Sequence, residues 1–251
     1  MQEAFYFGQE DRELLGVYHP ALGIGGNVLT VICPPLFSEF NRTHAALRNL
    51  SLALAQKGQH VLRMEYSGTG DSYGDLQDSS VAGWIDEVSI AIDEGKDLSG
   101  CRRVRLLGVR GSALLVCKSG GKRDDVDRIV LWDPAPDGTA LRDSLEREQD
   151  HLVREHLYMD GPERREVRQE FDIYRMSPAM WEEWPALDAS IYRDMPADRL
   201  RIVKTPKADD IAIEGVEVTG VDFTVSWEIK NGEVFMCQPV LEGLLDHLVT
   251  R

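Results

Sequence analysis

Residues 103–118 read RVRLLGVRGSALLVCK, and this stretch decides the predicted fold. The apolar run RVRLLGV at 103–109 predicts a strand, and SALLVCK at 112–118 predicts a short helix. Only Arg110 and Gly111 separate the two, so the chain must turn sharply between them. Residues 103–118 therefore predict a strand, a sharp turn and a helix in succession.

The same alternation of apolar runs and helical patterns extends in both directions from this turn. NVLTVICPP at 27–35 and HVLRMEY at 60–66 predict strands on either side of a helix over 43–56. Further along the chain, RIVLWDP at 128–134 and LRIVKT at 200–205 predict two more strands. Alternating strands and helices are typical of a mostly parallel sheet with helices on both faces, so we predict an α/β fold.

The outer parts of the chain complete the predicted fold. LLGVYHP at 14–20 and VEVTGVDF at 216–223 predict strands, and the apolar spacing over 238–249 predicts a final helix. Between 139 and 184 the sequence is heavily charged with few apolar positions, which favours a solvated helical pair. We therefore predict a single domain over 1–251 with a helical cap inserted at 139–195.

Composition limits the classes of function. The chain has 251 residues, 43% of them hydrophobic, and a net charge of −15 that repels nucleic acid and anionic membranes. It has no apolar run of membrane-spanning length, and residues 1–14 lack the pattern of a signal peptide. We expect a cytoplasmic protein that binds a small-molecule or peptide-like ligand, with no nucleic acid and no membrane as partner. A protein partner is the alternative.

The cysteine and histidine positions argue against a metal or a disulfide framework. The four cysteines form no Cys-x-x-Cys pair, and the six histidines show no metal-ligand spacing. The glycine-rich turn SGTGDSYGD at 67–75 lacks the lysine of a phosphate-binding loop. We therefore predict no metal and no cofactor.

Four motifs in order carry a resemblance to a known superfamily. They are the proline-proline loop PPLFSEFNRTH at 34–44, the strand and turn VLRMEYSGTGDSYGD at 61–75, the turn GVRGS at 108–112 and the strand end LWDP at 131–134. Together they resemble the α/β-hydrolase superfamily, and within it the serine-aminopeptidase-like and exosortase-associated hydrolases. The resemblance covers nearly the whole chain and implies the α/β-hydrolase fold, with GVRGS as the nucleophile elbow and the proline-proline loop as the oxyanion-hole loop.

The same resemblance exposes two departures from an active serine hydrolase. The elbow residue is Ser, Cys or Asp in active members, whereas here it is Arg110, which can neither attack a carbonyl nor accept a proton. Residues 222–236, where the triad histidine is expected, contain no histidine. Acids remain at both superfamily positions, Asp209 with Asp210 after one strand and Asp133 after another. We therefore predict a degenerate triad.

Arg110 has two interpretations that the sequence leaves open. It is a buried strut paired with Glu39 or Asp133, or it recognises a carboxylate or phosphate on a ligand. In both cases Arg110, Asp133 and Glu39 line the site rather than form a triad.

Other residues at the site are predicted ligand contacts. Backbone N–H groups of Leu36 or Phe37 and of Gly111 would be donors to the ligand, and Trp227 would wall the pocket. Ser112 is a further predicted ligand contact.

Three functions follow from these observations. The first is a hydrolase-fold protein that binds an acyl, amino-acid or peptide-like ligand under the cap and, if it is an enzyme, performs chemistry that needs no Ser-His pair. The second is a non-catalytic scaffold that contacts a partner protein. The third is an ester, thioester or peptide hydrolase with a displaced nucleophile, Ser112 or Ser38.

Overall fold

The computed structural model describes residues 2–10, 12–23, 26–157, 174–227 and 237–250, and for 153–157 it describes the backbone alone. Within these ranges the four cysteines are buried and unpaired. None of the helices in these ranges combines the length and apolar character needed to cross a membrane. The middle of the predicted cap, residues 158–173, lies outside the described residues.

Eight strands form one twisted sheet in the order β1-β2-β4-β3-β5-β6-β7-β8. The two antiparallel pairings, β1 with β2 and β2 with β4, lie at one side, and every pairing from β4 through β8 is parallel. The strands are β1 (Glu3–Gln9), β2 (Arg12–His19), β3 (Val28–Cys33), β4 (His60–Met64), β5 (Arg103–Val109), β6 (Val126–Trp132), β7 (Leu200–Lys204) and β8 (Glu217–Gly220).

Seven α-helices lie within the described residues, and four of them cover the two faces of the sheet. The seven helices are α1 (Ser38–Gln56), α2 (Val81–Ser99), α3 (Ser112–Gly120), α4 (Gly138–Leu157), α5 (Pro178–Glu183), α6 (Ser190–Arg193) and α7 (Gln238–Val249). Helices α1 and α7 pack on one face, and α2 and α3 pack on the other. The predicted fold class, a mostly parallel sheet between two helical layers, is confirmed.

Alternation along the central strands builds two separate apolar layers. In β5, Leu106 faces α2 and α3, whereas the next residue, Leu107, faces α1 and α7. Both leucines are fully buried. A central strand with two buried faces needs apolar residues at nearly every position, which is why β5 reads as a continuous apolar run.

Three side chains from outside α7 donate hydrogen bonds to the carbonyls at its carboxyl end. Gln59 Nε2 donates to the carbonyl of Leu248 at 2.5 Å, Arg105 donates to the same carbonyl, and Arg128 Nη1 donates to the carbonyl of His247 at 2.7 Å. The last carbonyls of a helix have no partner within the helix, so external donors are needed when they are buried. These bonds fix α7 against the central strands.

Two outer elements differ from the sequence-based expectation. Strand β1, at Glu3–Gln9, was not predicted, and the strand expected over 216–223 is shorter, at Glu217–Gly220. The two strands lie at opposite edges of the sheet. Edge strands are partly exposed, so the apolar alternation that predicts central strands is weaker in them.

Candidate functional site

The turn after β5 presents Arg110 at the carboxyl end of the sheet. Arg110 adopts a left-handed backbone with a φ of 53°, and α3 begins two residues later at Ser112. Strand and helix meet closely here, because a Cβ on Gly108 would lie 2.5 Å from Val116 Cγ2 and 2.9 Å from Ala113 Cα. Gly108 allows the strand and the helix to meet closely, and Arg110 at the tip of the turn has a strained backbone.

The Arg110 side chain is held by two carboxylates and an aromatic ring. Its Nε donates to Glu39 Oε1 at 3.0 Å, and its Nη1 lies 3.4 Å from Asp209 Oδ2. Nη1 also donates to the backbone carbonyl of Asp133 at 3.1 Å, and the guanidinium carbon lies 5.1 Å from the centre of the Trp227 ring. Of the five N–H groups of the guanidinium, the two on Nη2 have no hydrogen-bond partner among the described residues.

The carboxylate of Asp133 turns away from Arg110 and is fully buried. Its Oδ1 accepts the N–H of Thr205 at 2.7 Å, and its Oδ2 accepts the Thr205 hydroxyl at 2.7 Å and the Trp227 indole N–H at 2.8 Å. Of the two carboxylate partners expected for Arg110, the structure therefore places Glu39 beside its guanidinium and engages Asp133 through the backbone alone. No motif in the sequence indicates that Thr205 contacts the Asp133 carboxylate.

Trp227 lies at the end of segment 221–227, which follows β8 and borders the site. Arg42 fixes this segment by donating to the carbonyls of Ser226 at 2.6 Å and Trp227 at 3.0 Å. The Trp227 ring also packs edge-on against Trp132, with the ring centres 5.2 Å apart. The indole is therefore held from three sides, by Asp133, by Trp132 and through its own backbone.

Arg110, Trp227 and Asp133 follow one another in the spatial order of a Ser-His-Asp arrangement. The elbow side chain contacts a ring, and the N–H of that ring donates to a buried carboxylate. An indole and a guanidinium have donors and no acceptor, so neither can take a proton from a nucleophile.

Backbone strain concentrates at the same place. Of the four non-glycine residues with positive φ in the described part of the chain, Phe37 (56°), Arg110 (53°) and Asp133 (43°) lie in the three loops that meet here. Each such residue costs on the order of 1–3 kcal/mol, and strain of this kind clusters at functional sites.

A cavity of about 880 Å³ opens above Arg110 and Trp227. Its floor comes from the loops at the end of the sheet and its other wall from one face of α4. The floor residues are Glu39, Arg110, Ala135, Pro136, Lys207, Asp209, Val225, Ser226 and Trp227, and the α4 residues are Ala140, Leu141, Asp143, Ser144, Arg147, Glu148 and His151.

Charged α4 residues that the sequence analysis assigned to a solvated surface line this cavity. Arg147, Glu148 and His151 face it, whereas Leu145 packs into the core and Leu141 contributes to both the core and the cavity wall. The spacing 144, 147, 148 and 151 is that of one helix face, so a polar stripe beside an apolar one was the signal available in the sequence. Periodicity alone does not say whether a polar stripe faces water or a cavity.

Four predicted ligand contacts lie beside the cavity rather than on its surface. The Ser112 side chain is fully buried, and its hydroxyl donates to the carbonyl of Pro34. The Phe37 ring packs against Trp84 and Tyr174, with ring centres 6.0 and 5.0 Å away.

The other two predicted contacts, Gly111 and Leu36, lie under α4. A Cβ on Gly111 would meet Leu141 Cδ2 at 2.8 Å and Leu36 Cδ1 at 3.1 Å. These two leucine side chains therefore occupy the space directly above the backbone of Gly111. Leu36 is itself buried.

Burial and charge act in opposite directions on the ion pair. Burial raises the pKa of Glu39 above its ordinary value, and the Arg110 guanidinium opposes that rise without cancelling it. Burial alone would lower the pKa of Arg110, but the carboxylates of Glu39, Asp209 and Asp133 outweigh it and raise that pKa. Arg110 therefore stays charged, and it is the main group that opposes the rise in the pKa of Glu39.

The described residues do not assemble a group of three or more His, Cys, Asp or Glu side chains able to hold a metal ion. Cys33 and Cys237 are poor nucleophiles where they lie. Burial raises the pKa of the Cys33 thiol to about 12 and that of the Cys237 thiol to about 11.

Comparison with known proteins identifies the fold and no family. A scan against models of protein families finds no match, and a search of curated proteins finds none either. Solved structures do match. The chain is similar to Est1E from Butyrivibrio proteoclasticus with ferulic acid bound, at a TM-score of 0.66 and 14% identity, covering 98% of this chain and 100% of that one.

Two further structures give the same result. The bottromycin epimerase BotH in complex with bottromycin A2 matches at a TM-score of 0.62 and 14% identity, covering 98% of both chains. Mouse alpha/beta hydrolase domain-containing protein 10 matches at a TM-score of 0.56 and 16% identity, covering 98% of this chain and 96% of that one. The chain has the α/β-hydrolase fold.

Proposed function

We propose that this α/β-hydrolase-fold protein binds a small acyl, amino-acid or peptide-like ligand in the cavity beneath α4, and that it does not use a serine nucleophile. In this proposal α4 and the helices after it act as the cap over the site. The observation that carries the proposal is the set Arg110, Trp227 and Asp133, which stands in the order of a triad but contains no serine or cysteine nucleophile and no histidine. Three donors from Thr205 and Trp227 already occupy the Asp133 carboxylate.

The surface of the cavity supports a ligand with both polar and apolar parts. Ala135, Pro136, Leu141, Val225 and Trp227 supply apolar area, and the polar face of α4 lies opposite them. A volume of about 880 Å³ is in the range of small-molecule sites.

Arg110 supplies the directional contact in this proposal. The two unused N–H groups on its Nη2 would donate to a carbonyl or carboxylate oxygen of the ligand. Glu39 and Asp209 already offset the charge of Arg110, which favours an uncharged acceptor over a free anion.

Catalysis at this site would need a step without a Ser-His pair. Proton transfer is the chemistry that the available groups support, because Glu39 is a carboxyl at the cavity surface held in place by Arg110. A protein of this fold that is named an epimerase, BotH, is among the structural neighbours.

The second candidate function is a non-catalytic scaffold. Two observations favour it: Arg110 is tied to two carboxylates, and the side chains of Leu36 and Leu141 cover Gly111, where an oxyanion hole would need open space. A scaffold would keep the strained loops for stability and would leave the cavity without a specific ligand.

We predict that intact protein exposed to a broad fluorophosphonate probe gains no mass. Ser112 is fully buried and donates to Pro34, and the hydroxyl oxygen of Ser38 is also buried. In the described part of the chain, neither hydroxyl has a hydrogen bond to a histidine. The measurement is intact-protein mass spectrometry with a heat-denatured sample as control. A stoichiometric adduct that disappears in Ser112→Ala or Ser38→Ala would establish a hydrolase with a displaced nucleophile instead.

Ligand screening with variants of the cavity wall tests the proposal directly. A library of acyl, amino-acid and short peptide compounds would be screened by ligand-observed NMR against the wild type, with hits ranked by dissociation constant. Ala140→Trp would fill the cavity, and Arg147→Ala would remove a polar contact from its wall. Arg142→Ala, on the same helix but not on the cavity wall, is the matched control.

We expect hits that Ala140→Trp abolishes, that Arg147→Ala weakens about tenfold, and that Arg142→Ala leaves unchanged, since one charge-assisted hydrogen bond is worth about 1.4 kcal/mol or more. Equal binding by Ala140→Trp would place the ligand elsewhere and reject the cavity. A screen without hits would favour the scaffold.

A further inference from the structure

The sheet register brings two basic side chains together at a second place, at the edge of α1. Arg63 in β4 pairs with Val17 in β2, and His19 in β2 pairs with Val61 in β4. Paired residues share a face of the sheet, as do residues two apart on one strand. Arg63 and His19 therefore project from the same face, which is the face that α1 covers.

Two more basic side chains approach from α1. His44 and Arg48 lie one turn apart on the exposed side of that helix. Burial, together with the nearby charges of Arg63 and Arg48, lowers the pKa of His19 to about 4. Burial also lowers the pKa of His44, with the same two arginines contributing. The four groups thus share one electrostatic environment.

Two buried nitrogen atoms in this cluster have no hydrogen-bond partner among the described residues, His19 Nε2 and Arg63 Nε. His19 is 2% exposed. The Nε of an arginine always carries a hydrogen, so Arg63 places a donor in a buried position with no acceptor. A buried donor without an acceptor costs about 1–3 kcal/mol, and such exceptions are rare enough to call for an explanation.

A small cleft lies beside Arg63. It has a volume of about 20 Å³, and its wall includes His44, Arg63, Phe40 and Glu65. That volume holds one water-sized group. Glu65 is the carboxylate in the wall, and one of its oxygens accepts the N–H of Asp71 at 2.8 Å.

The charge at this place is opposite to that of the whole molecule. Two arginines, Arg48 and Arg63, meet one carboxylate, Glu65, here, in a chain whose net charge is −15. His19 and His44, whose pKa values burial lowers, add hydrogen-bonding nitrogens rather than charge. These basic residues come from positions 19, 44, 48 and 63, so no stretch of the sequence reads as basic. A concentrated positive charge in an acidic protein attracts anions to that spot.

We propose that the cleft between α1 and the β2–β4 pair binds a phosphate-type oxyanion. One oxygen would enter the cleft and accept from Arg63, and the other oxygens would lie at the exposed rim beside His44 and Arg48. The anion is free inorganic phosphate or the phosphate group of a small molecule. The cleft shares no lining residue with the cavity beneath α4, so the inference does not rest on the function proposed for that cavity.

Calorimetric titration of inorganic phosphate and of phenyl phosphate, at an ionic strength held constant with sodium chloride, tests the proposal. The variants are Arg63→Met in the cleft and Arg48→Gln at its exposed rim, where a substitution leaves the core intact. Arg103→Gln is the matched control, because Arg103 is an exposed arginine of β5 that lies 3.8 Å from Asp127.

We expect saturable binding to the wild type that weakens about tenfold or more in Arg63→Met and in Arg48→Gln and is unchanged in Arg103→Gln. Comparable affinity for phenyl phosphate would identify a phosphate group on a larger molecule, and binding of inorganic phosphate alone would identify the free ion. Absence of saturable binding, full retention in the two cleft variants, or equal weakening in Arg103→Gln would each overturn the proposal.

Discussion

Asp133→Ala is expected to lower the free energy of unfolding by about 4 kcal/mol, the largest effect of any single substitution considered for this protein. The change removes a fully buried carboxylate that accepts the N–H and hydroxyl of Thr205 and the indole N–H of Trp227. Three buried donors would lose their acceptor, and alanine would also have to adopt a φ of 43°. Urea denaturation followed by tryptophan fluorescence measures the loss.

Asp133→Asn is the matched control for that substitution. Asparagine keeps one acceptor oxygen and tolerates a left-handed backbone better than alanine does. We expect it to lose about half as much stability as Asp133→Ala. A loss below about 1 kcal/mol in Asp133→Ala would mean that water replaces the carboxylate at these donors, and that the site is less closed than the contacts indicate.

Arg110→Met is expected to lower the free energy of unfolding by about 3 kcal/mol at pH 8, because it leaves Glu39 buried without its cation. The loss should shrink as the pH falls toward 4. Burial already raises the pKa of Glu39, and removing Arg110 raises it further. A group with a raised folded-state pKa stabilises the fold at low pH and loses that contribution as the pH rises through the folded-state pKa.

The double variant Arg110→Met/Glu39→Gln separates the loss of the ion pair from the loss of packing. With the carboxylate neutralised, we expect at least about half of the lost stability to return and the pH dependence to disappear. Denaturation curves of the two single variants and the double variant at pH 5 and pH 8 complete the cycle. A loss in Arg110→Met that is the same at both pH values would show that packing on Trp227, and not charge, is what Arg110 contributes.

The central part of the fold is predictable from the sequence because its physical causes are local. Strand β5 is a continuous apolar run, and Gly108 precedes the turn where only a glycine avoids Val116. The helix over 238–249 follows from its apolar spacing. In each case a pattern within a few residues determines the structure.

The contacts of the site depend on distances across the chain, which the sequence does not show. That Glu39 and Asp133 would approach Arg110 follows from the predicted strand ends, but the choice between them depends on Thr205, which takes the Asp133 carboxylate. Likewise, α4 was predicted as helical from its charged pattern. That its polar stripe faces a cavity depends on how α4 packs over the loops.

The basic cluster on the other side of α1 shows the same limit more clearly. His19 and Arg63 are 44 positions apart, and only the antiparallel register of β2 and β4 puts them on one face. Neither His19 nor Arg63 lies in a run of basic residues along the sequence. The pairing of β2 with β4 is what concentrates positive charge at one place in this acidic chain.

The bonds that hold the end of α7 have a consequence for synthesis on the ribosome. The acceptor of Gln59 is the carbonyl of Leu248, 189 positions later in the chain. At about 5 to 20 residues per second, the ribosome needs on the order of ten seconds or more to make the intervening segment. Until α7 has been made, the part of the sheet that α7 packs against, on β6 and β7, has one face uncovered. Nascent chains of this protein are therefore expected to depend on chaperones until α7 has emerged.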